Sequence, residues 1–206
     1  PKIFIKNNIN GLLSLLINVK KYNRLKKIKI KFVQISTDEV YGDVKSGKFS
    51  SEKDNLIPSS PYSATKASAD LIINSFIRTY KLHAIILRLC NNYGPYQNPE
   101  KLIPRIILKI INNKNIPIYG KGNNKREWIF VNDTCKLIYK SLSKCKIGEI
   151  YNIGSKNIKS NNQLVKILLK IFKDDLKFKK NKSKIKFVKD RPGHDYRYSL
   201  NTNKIE

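Results

Sequence analysis

The chain of 206 residues has no methionine, a single tryptophan, three cysteines and nine glycines. Cys90, Cys135 and Cys145 are odd in number and form no Cys-x-x-Cys pair, so neither a disulfide framework nor a zinc site is expected, and no metal. No apolar stretch approaches the roughly twenty residues that a membrane span needs, and no signal peptide is visible, so a cytoplasmic location without a membrane partner is expected. None of the glycines makes a Gly-x-x-Gly-x-x-Gly loop, so these residues do not encode the phosphate cradle of a dinucleotide domain. Acids are scarce too: 15 Asp and Glu face 42 Lys and Arg, a formal charge of +27. Such an excess ordinarily points to nucleic acid or an anionic membrane. Here Lys, Ile and Asn make up roughly two-fifths of the chain, far above ordinary usage, and all three have A/T-rich codons. The lysines are scattered, as in Lys20-Lys21, Lys26-Lys27 and Lys179-Lys180, rather than gathered with aromatics on one platform. The charge reads as composition, with no nucleic-acid partner, though its field suits the steering of an anionic ligand.

What is present is concentrated in two short segments. Ser36-Thr37-Asp38-Glu39-Val40-Tyr41-Gly42 is followed by Ser60-Pro61-Tyr62-Ser63-Ala64-Thr65-Lys66. Pro61 favours the first turn of a helix, and residues four apart share a helix face, so Tyr62 and Lys66 point the same way. A neighbouring cation favours the phenolate, which is expected to lower the Tyr62 pKa and make it a usable base. Lys27 to Ser36 reads as a strand, which puts Thr37, Asp38 and Glu39 just past its carboxyl end, where open α/β sheets place their ligands. Read by type alone, a Tyr-x-x-x-Lys pair is equally a solvated surface pair, and Asp38-Glu39 equally a helix-start acid pair.

The rest of the chain reads as α/β. Asn8 or Asn10 is expected to cap a helix with Leu12, Leu13, Leu16 and Ile17 on its apolar face. Gly42 to Ser59 reads as a loop, Pro61 to about Tyr80 as a helix with Ala67, Leu71, Ser75 and Arg78 on one side, and Ala84 to Leu89 as a strand ending at a buried Cys90. Leu102 to Asn112 reads as a helix and Pro117-Ile118-Tyr119 as a short strand. Tyr119 offers a flat face to a base or sugar. Arg126 carries the fork that holds a diphosphate at two points, but is equally a solvated charge. Trp128 reads as core, and Arg191-Pro192-Gly193-His194 as a tight turn.

These motifs together resemble the extended short-chain dehydrogenase/reductase superfamily, and within it the dehydratases that act on dTDP-glucose. The likeness rests on Ser-Thr-Asp-Glu-Val-Tyr-Gly and Ser-Pro-Tyr-Ser-Ala-Thr-Lys, then on Asn91-Asn92-Tyr93-Gly94-Pro95 with Pro99-Glu100-Lys101-Leu102. It continues through Tyr119-Gly120-x-Gly122, Arg126-x-Trp128, Tyr151-Asn152-Ile153-Gly154 and Asp190-Arg191-Pro192-Gly193-His194-Asp195, covering most of the chain. The resemblance implies a partial Rossmann-like, doubly wound parallel sheet without its first strands, spanning 1–98, and a smaller substrate-binding α/β region over 99–206, interleaved with the last Rossmann elements. It implies NAD as cofactor, contacted by Asn7, Ser36, Tyr62, Lys66 and Asn92, with Asn7 in doubt because relatives commonly carry Thr there. It implies that Tyr62 takes the proton of the sugar 4-hydroxyl while hydride leaves C4, with Thr37 orienting that hydroxyl and Lys66 supporting. Glu39 then removes the C5 proton, Asp38 protonates the departing C6 oxygen, and the hydride returns to C6.

The same resemblance assigns the sugar nucleotide to Thr37, Asn91, Lys101, Leu102, Pro117, Ile118, Tyr119, Arg126, Asn161, Asp190, Arg191 and His194. It also implies a homodimer, built on the Pro61 helix and its predecessor. Three readings stand beside one another: a dTDP-glucose 4,6-dehydratase, a UDP-glucose dehydratase or an epimerase or decarboxylase of the same superfamily, and an inactive remnant or basic binding protein. Asp38 argues against the epimerases. The missing glycine loop makes the chain read as an internal fragment, inactive alone.

Overall fold

The computed structural model describes residues 1–175, 178 and 181–206; the Lys179-Lys180 pair lies outside the described residues. The chain enters as α1 (Lys2–Phe4), runs through a π-helical stretch over Ile5–Gly11 and continues as α2 (Leu12–Lys26). Neither Asn8 nor Asn10 is therefore a cap. Both lie inside the helix, and Asn8 Nδ2 instead donates across to Thr65 Oγ1 at 3.0 Å, a tertiary bond that overrides the local capping preference. Of the four residues expected on the apolar face, Leu12 and Leu16 are buried, whereas Leu13 and Ile17 stay 39% and 51% exposed.

Helix α2 ends at Lys27, whose left-handed φ of 54° turns the chain, and Asn23 Oδ1 accepts the Ile30 amide. This C-terminal turn displaces the expected strand, which begins at Phe32 rather than Lys27: β1 is Phe32–Thr37. Helix α3 (Pro61–Tyr80) starts as its sequence dictates, with Ser60 and Ser63 exchanging capping bonds and Pro61 in the first turn. It buries Ala67, Ile73 and Phe76, and turns Leu71, Ser75 and Arg78 outward. β1 pairs in parallel with β2 (Ala84–Leu89), which is buried throughout, and β2 pairs in parallel with β6 (Ile150–Ile153). The α/β class is as expected, with this three-stranded parallel sheet as its centre.

The second half of the chain adds two further sheets. β3 (Asn91–Tyr93) runs parallel to β5 (Lys125–Phe130), which pairs antiparallel with β7 (Ile158–Ser160). β4 (Ile116–Tyr119) pairs in parallel with β8 (Ile185–Val188). Helices α4 (Leu102–Ile111), α5 (Val131–Lys144) and α6 (Asn161–Asp174) complete it, with Ile106, Ile110, Ile116, Ile118, Leu164 and Val165 in one core cluster. No helix among the described residues is long and apolar enough to cross a membrane.

Candidate active site

β1 delivers Thr37 to the sheet's carboxyl edge, and the chain then tightens into a 3-10 turn over Asp38–Tyr41. Thr37 caps that turn: its hydroxyl accepts the Glu39 amide at 3.3 Å and donates to Asp38 Oδ1 at 3.2 Å. Asp38 Oδ2 is buried without a hydrogen-bond partner among the described residues. Burial is the main reason that the Asp38 carboxyl is raised to about 8, with Glu39 adding and Arg126 opposing. Glu39 is also raised, again chiefly by burial, against the pull of Arg126 and Arg191. Two adjacent carboxyls thus have different surroundings, one sealed and one turned toward cations.

Helix α3 brings Tyr62 and Lys66 beside this turn, but not in the expected relation. Burial raises the Tyr62 phenol, and Glu39 and Asp38 raise it further, so Lys66 does not lower it as the spacing suggested. The reason is geometric: Lys66 Nζ donates to the Ile35 carbonyl at 2.6 Å, and its own pKa is lowered by burial. Tyr62 instead packs edge-on against Phe4, with ring centroids 5.6 Å apart.

On the far side of Glu39 a cavity of about 460 Å³ opens. Asn91 comes to it from β3, and Lys101 and Leu102 from the start of α4; Pro117, Ile118 and Tyr119 come from β4. Arg126 enters from β5, Asn161 from the first turn of α6, and Arg191 and His194 from the turn after β8. The sequence reading missed Glu100, Arg105 and Trp128 at this cavity. Trp128 is 6% exposed and does belong to the core, but its buried Nε1 has no partner among the described residues and it also lines the cavity. Only the pairing of Trp128 with Asn91 across β3 and β5 reveals this.

Arg126 is not a solvated charge: it is 6% exposed. Its Nη1 donates to the Lys125 carbonyl at 2.8 Å and its Nη2 to the Asp195 carbonyl at 2.9 Å, with the guanidinium 4.2 Å over the Tyr198 ring. Burial lowers its pKa, yet among the described residues its cation has no carboxylate salt bridge. With Lys101, Arg105 and Arg191 it makes the cavity cationic. Asp190 does not line the cavity. Its Oδ1 lies 2.7 Å from His194 Nδ1 and accepts the Arg191 amide, so it acts on the ligand side only through those two residues. Burial lowers the His194 pKa, against the pull of Asp190. Gly193, with φ of 63°, makes the turn that the Pro-Gly pair announced.

The expected cofactor contacts divide. Asn7 and Lys66 line a second cleft, of about 260 Å³, together with Asn8, Gly11, Phe32 and Gln34. Ser36 and Asn92 lie off that cleft; Ser36 is buried, and Asn92 donates to the Cys90 carbonyl at 3.0 Å while its buried Oδ1 has no partner among the described residues.

The chain is similar to several known proteins. It is 46% identical to the low-salt glycan biosynthesis protein Agl12 of Haloferax volcanii, over 85% of this chain and 54% of that protein. It is 41% identical to dTDP-glucose 4,6-dehydratase 1 of Escherichia coli K12, over 100% of this chain and 61% of the relative. The structure of DesIV (dTDP-glucose 4,6-dehydratase) from Streptomyces venezuelae, solved with NAD bound, matches with a TM-score of 0.89 at 41% identity, covering 99% of this chain and 60% of that one. The chain thus spans less than two thirds of the length of each of these relatives. The family model described as GDP-mannose 4,6 dehydratase matches residues 1–206, and with its whole length so matched the chain belongs to that family.

Proposed function

We propose that the chain carries the catalytic and sugar-nucleotide-binding part of a nucleotide-sugar 4,6-dehydratase that converts dTDP-glucose to its 4-keto-6-deoxy product. The observation that carries this reading is Asp38, an acid kept protonated to about pH 8, set next to Glu39 at the mouth of a cationic cavity. Oxidation at C4 alone needs no such pair. Loss of water across C5 and C6 needs a base for the C5 proton and an acid for the leaving oxygen, and the two carboxyls supply them.

The residues present fit NAD at one end. Lys66 and Asn7 offer donors at the smaller cleft, Tyr62 stands on the same helix face as Lys66, and Asn92 keeps a buried free acceptor. When bound, NAD supplies the acceptor for the C4 hydride and its source for C6. Tyr62 holds the sugar 4-hydroxyl and is the group to take its proton, which requires the positive charge of bound NAD to offset the burial and the carboxyls that raise the phenol, and Thr37 orients that hydroxyl. Glu39, drawn toward ionisation by Arg126 and Arg191, takes the C5 proton once the 4-ketone has acidified it. Asp38 gives its proton to the C6 oxygen, which leaves as water. Arg126, Arg191, Lys101 and His194 are the groups for the diphosphate, and Tyr119 with Leu102 and Pro117 gives the base a flat apolar wall.

Three further readings belong to the same proposal. Residues 1–98 carry the chemistry and 99–206 mainly the sugar nucleotide. A homodimer through α2 and α3 is supported by the outward Leu13, Ile17 and Leu71, the last 60% exposed. A cytoplasmic location is supported by three free cysteines.

The test uses the full-length protein with dTDP-glucose. Wild type should form a 4-keto-6-deoxy sugar, read by its absorbance in alkali, and Asp38→Asn should stop at the 4-keto hexose. Full dehydration by Asp38→Asn would overturn the assigned role.

A further inference from the structure

The strand register sets Ser36, Arg88 and Asn152 side by side across β1, β2 and β6, one residue before the sheet edge from which Asp38 departs. All three are buried, at 4%, 2% and 0% exposure. Polar side chains inside a sheet are costly unless they are paired, so this row needs partners. Arg88 has one on each side: its Nε donates to Asp70 Oδ2 at 2.9 Å and its Nη1 to the Tyr41 hydroxyl at 2.8 Å. The Tyr41 hydroxyl donates onward to Asn152 Oδ1 at 2.8 Å, and Asn152 Nδ2 donates to the carbonyls of Ser50 and Asn201.

The two partners of Arg88 sit on the two catalytic segments. Asp70 stands one helical turn beyond Lys66 and two beyond Tyr62 on α3, and is itself fully buried. Tyr41 is the last residue of the turn that begins with Asp38 and Glu39. We propose that Arg88 is a positioning residue: its guanidinium, clamped between Asp70 and Tyr41, fixes the spacing between the Tyr62–Lys66 helix and the Asp38–Glu39 turn. The inference rests on the dehydratase reading. One sugar must meet Tyr62 at its 4-hydroxyl and the carboxyl pair at C5 and C6, and a displacement of about 1 Å between such groups costs on the order of a hundredfold in rate. A planar fork holds two partners at a set separation, which a lysine does not.

The test compares full-length wild type with Tyr41→Phe, which keeps the ring and removes the bridging hydroxyl, and with Arg88→Lys, which keeps the charge and removes the fork. Hydrogen exchange without ligand should show the amides of residues 39–42 exchanging at least tenfold faster in both variants, with Ile73 and Phe76 of α3 within twofold of wild type. In single turnovers, C4 oxidation should stay within threefold while loss of water slows at least tenfold. Unchanged exchange at the turn, equal loosening of turn and helix, or equal slowing of both steps would each overturn the clamp. A wild type that dehydrates no sugar nucleotide would sink the functional reading instead, and the ligand-free exchange would still decide the clamp.

Discussion

Burying a carboxyl without a partner for one oxygen makes its ionisation expensive, and Asp38 is such a carboxyl. The unfolded chain releases this proton near its ordinary value of 3.8, whereas the folded state keeps it to about 8. Between those limits the folded state binds the extra proton, so stability contributed at this site falls as pH rises and levels off above about 8. Asp38→Asn should flatten that fall and stabilise the protein at pH 8 by on the order of a few kcal/mol, as thermal melts at pH 5 and pH 8 would show. An equally steep fall in the variant would contradict the assignment. Dehydration in the wild type should decline above about pH 8, as the acid is lost. Arg126 invites a second measurement. Its guanidinium is held by the Lys125 and Asp195 carbonyls and stacked on Tyr198, so Arg126→Lys should weaken sugar-nucleotide binding roughly 10- to 100-fold by calorimetry and also lower the melting temperature, since those carbonyls lose their donors.

The Asp38–Tyr41 turn depends on what closes it. Gly42 ends the turn with φ of 73°, and a Cβ there would stand 2.1 Å from the Ile57 carbonyl oxygen. Gly42→Ala should therefore cost roughly 1–3 kcal/mol and push the loop off the turn, which denaturant melts and the rate of dehydration would both report. Glu127, fully buried, accepts the amides of Ser155 and Lys156 at Oε1 and of Leu200 at Oε2, stapling three segments behind the site. Glu127→Ala should destabilise by roughly 2–3 kcal/mol, because the buried Leu200 amide and the part-buried amides of Ser155 and Lys156 lose their acceptor. Elements governed by local chemistry were legible from the sequence. Ser60, Pro61 and Ser63 are enough to start α3, and the apolar Ala84–Leu89 run is enough for a central strand. Elements set by distant partners were not. Asn8 looks like a cap until Thr65 is brought beside it, and Lys66 looks like the partner of Tyr62 until the Ile35 carbonyl takes its ammonium. The cavity was readable as a set of motif residues. The part played by Trp128 was hidden, because one side chain serves the core and the cavity wall at once.

At the scale of the molecule the proposed function divides two tasks, with proton transfer assigned to the β1 turn and α3 and anion holding to β4, β5, α4 and the turn after β8. The formal charge of +27 favours the approach of an anionic ligand at low ionic strength. The measurement that bears most directly on the account is the product that the full-length protein makes from dTDP-glucose in deuterated water, read by NMR. The account predicts a 4-keto-6-deoxy sugar carrying solvent deuterium at C5, where Glu39 exchanges the proton. A product epimerised at C4 with its 6-hydroxyl retained would contradict it, since Asp38 would then expel no water.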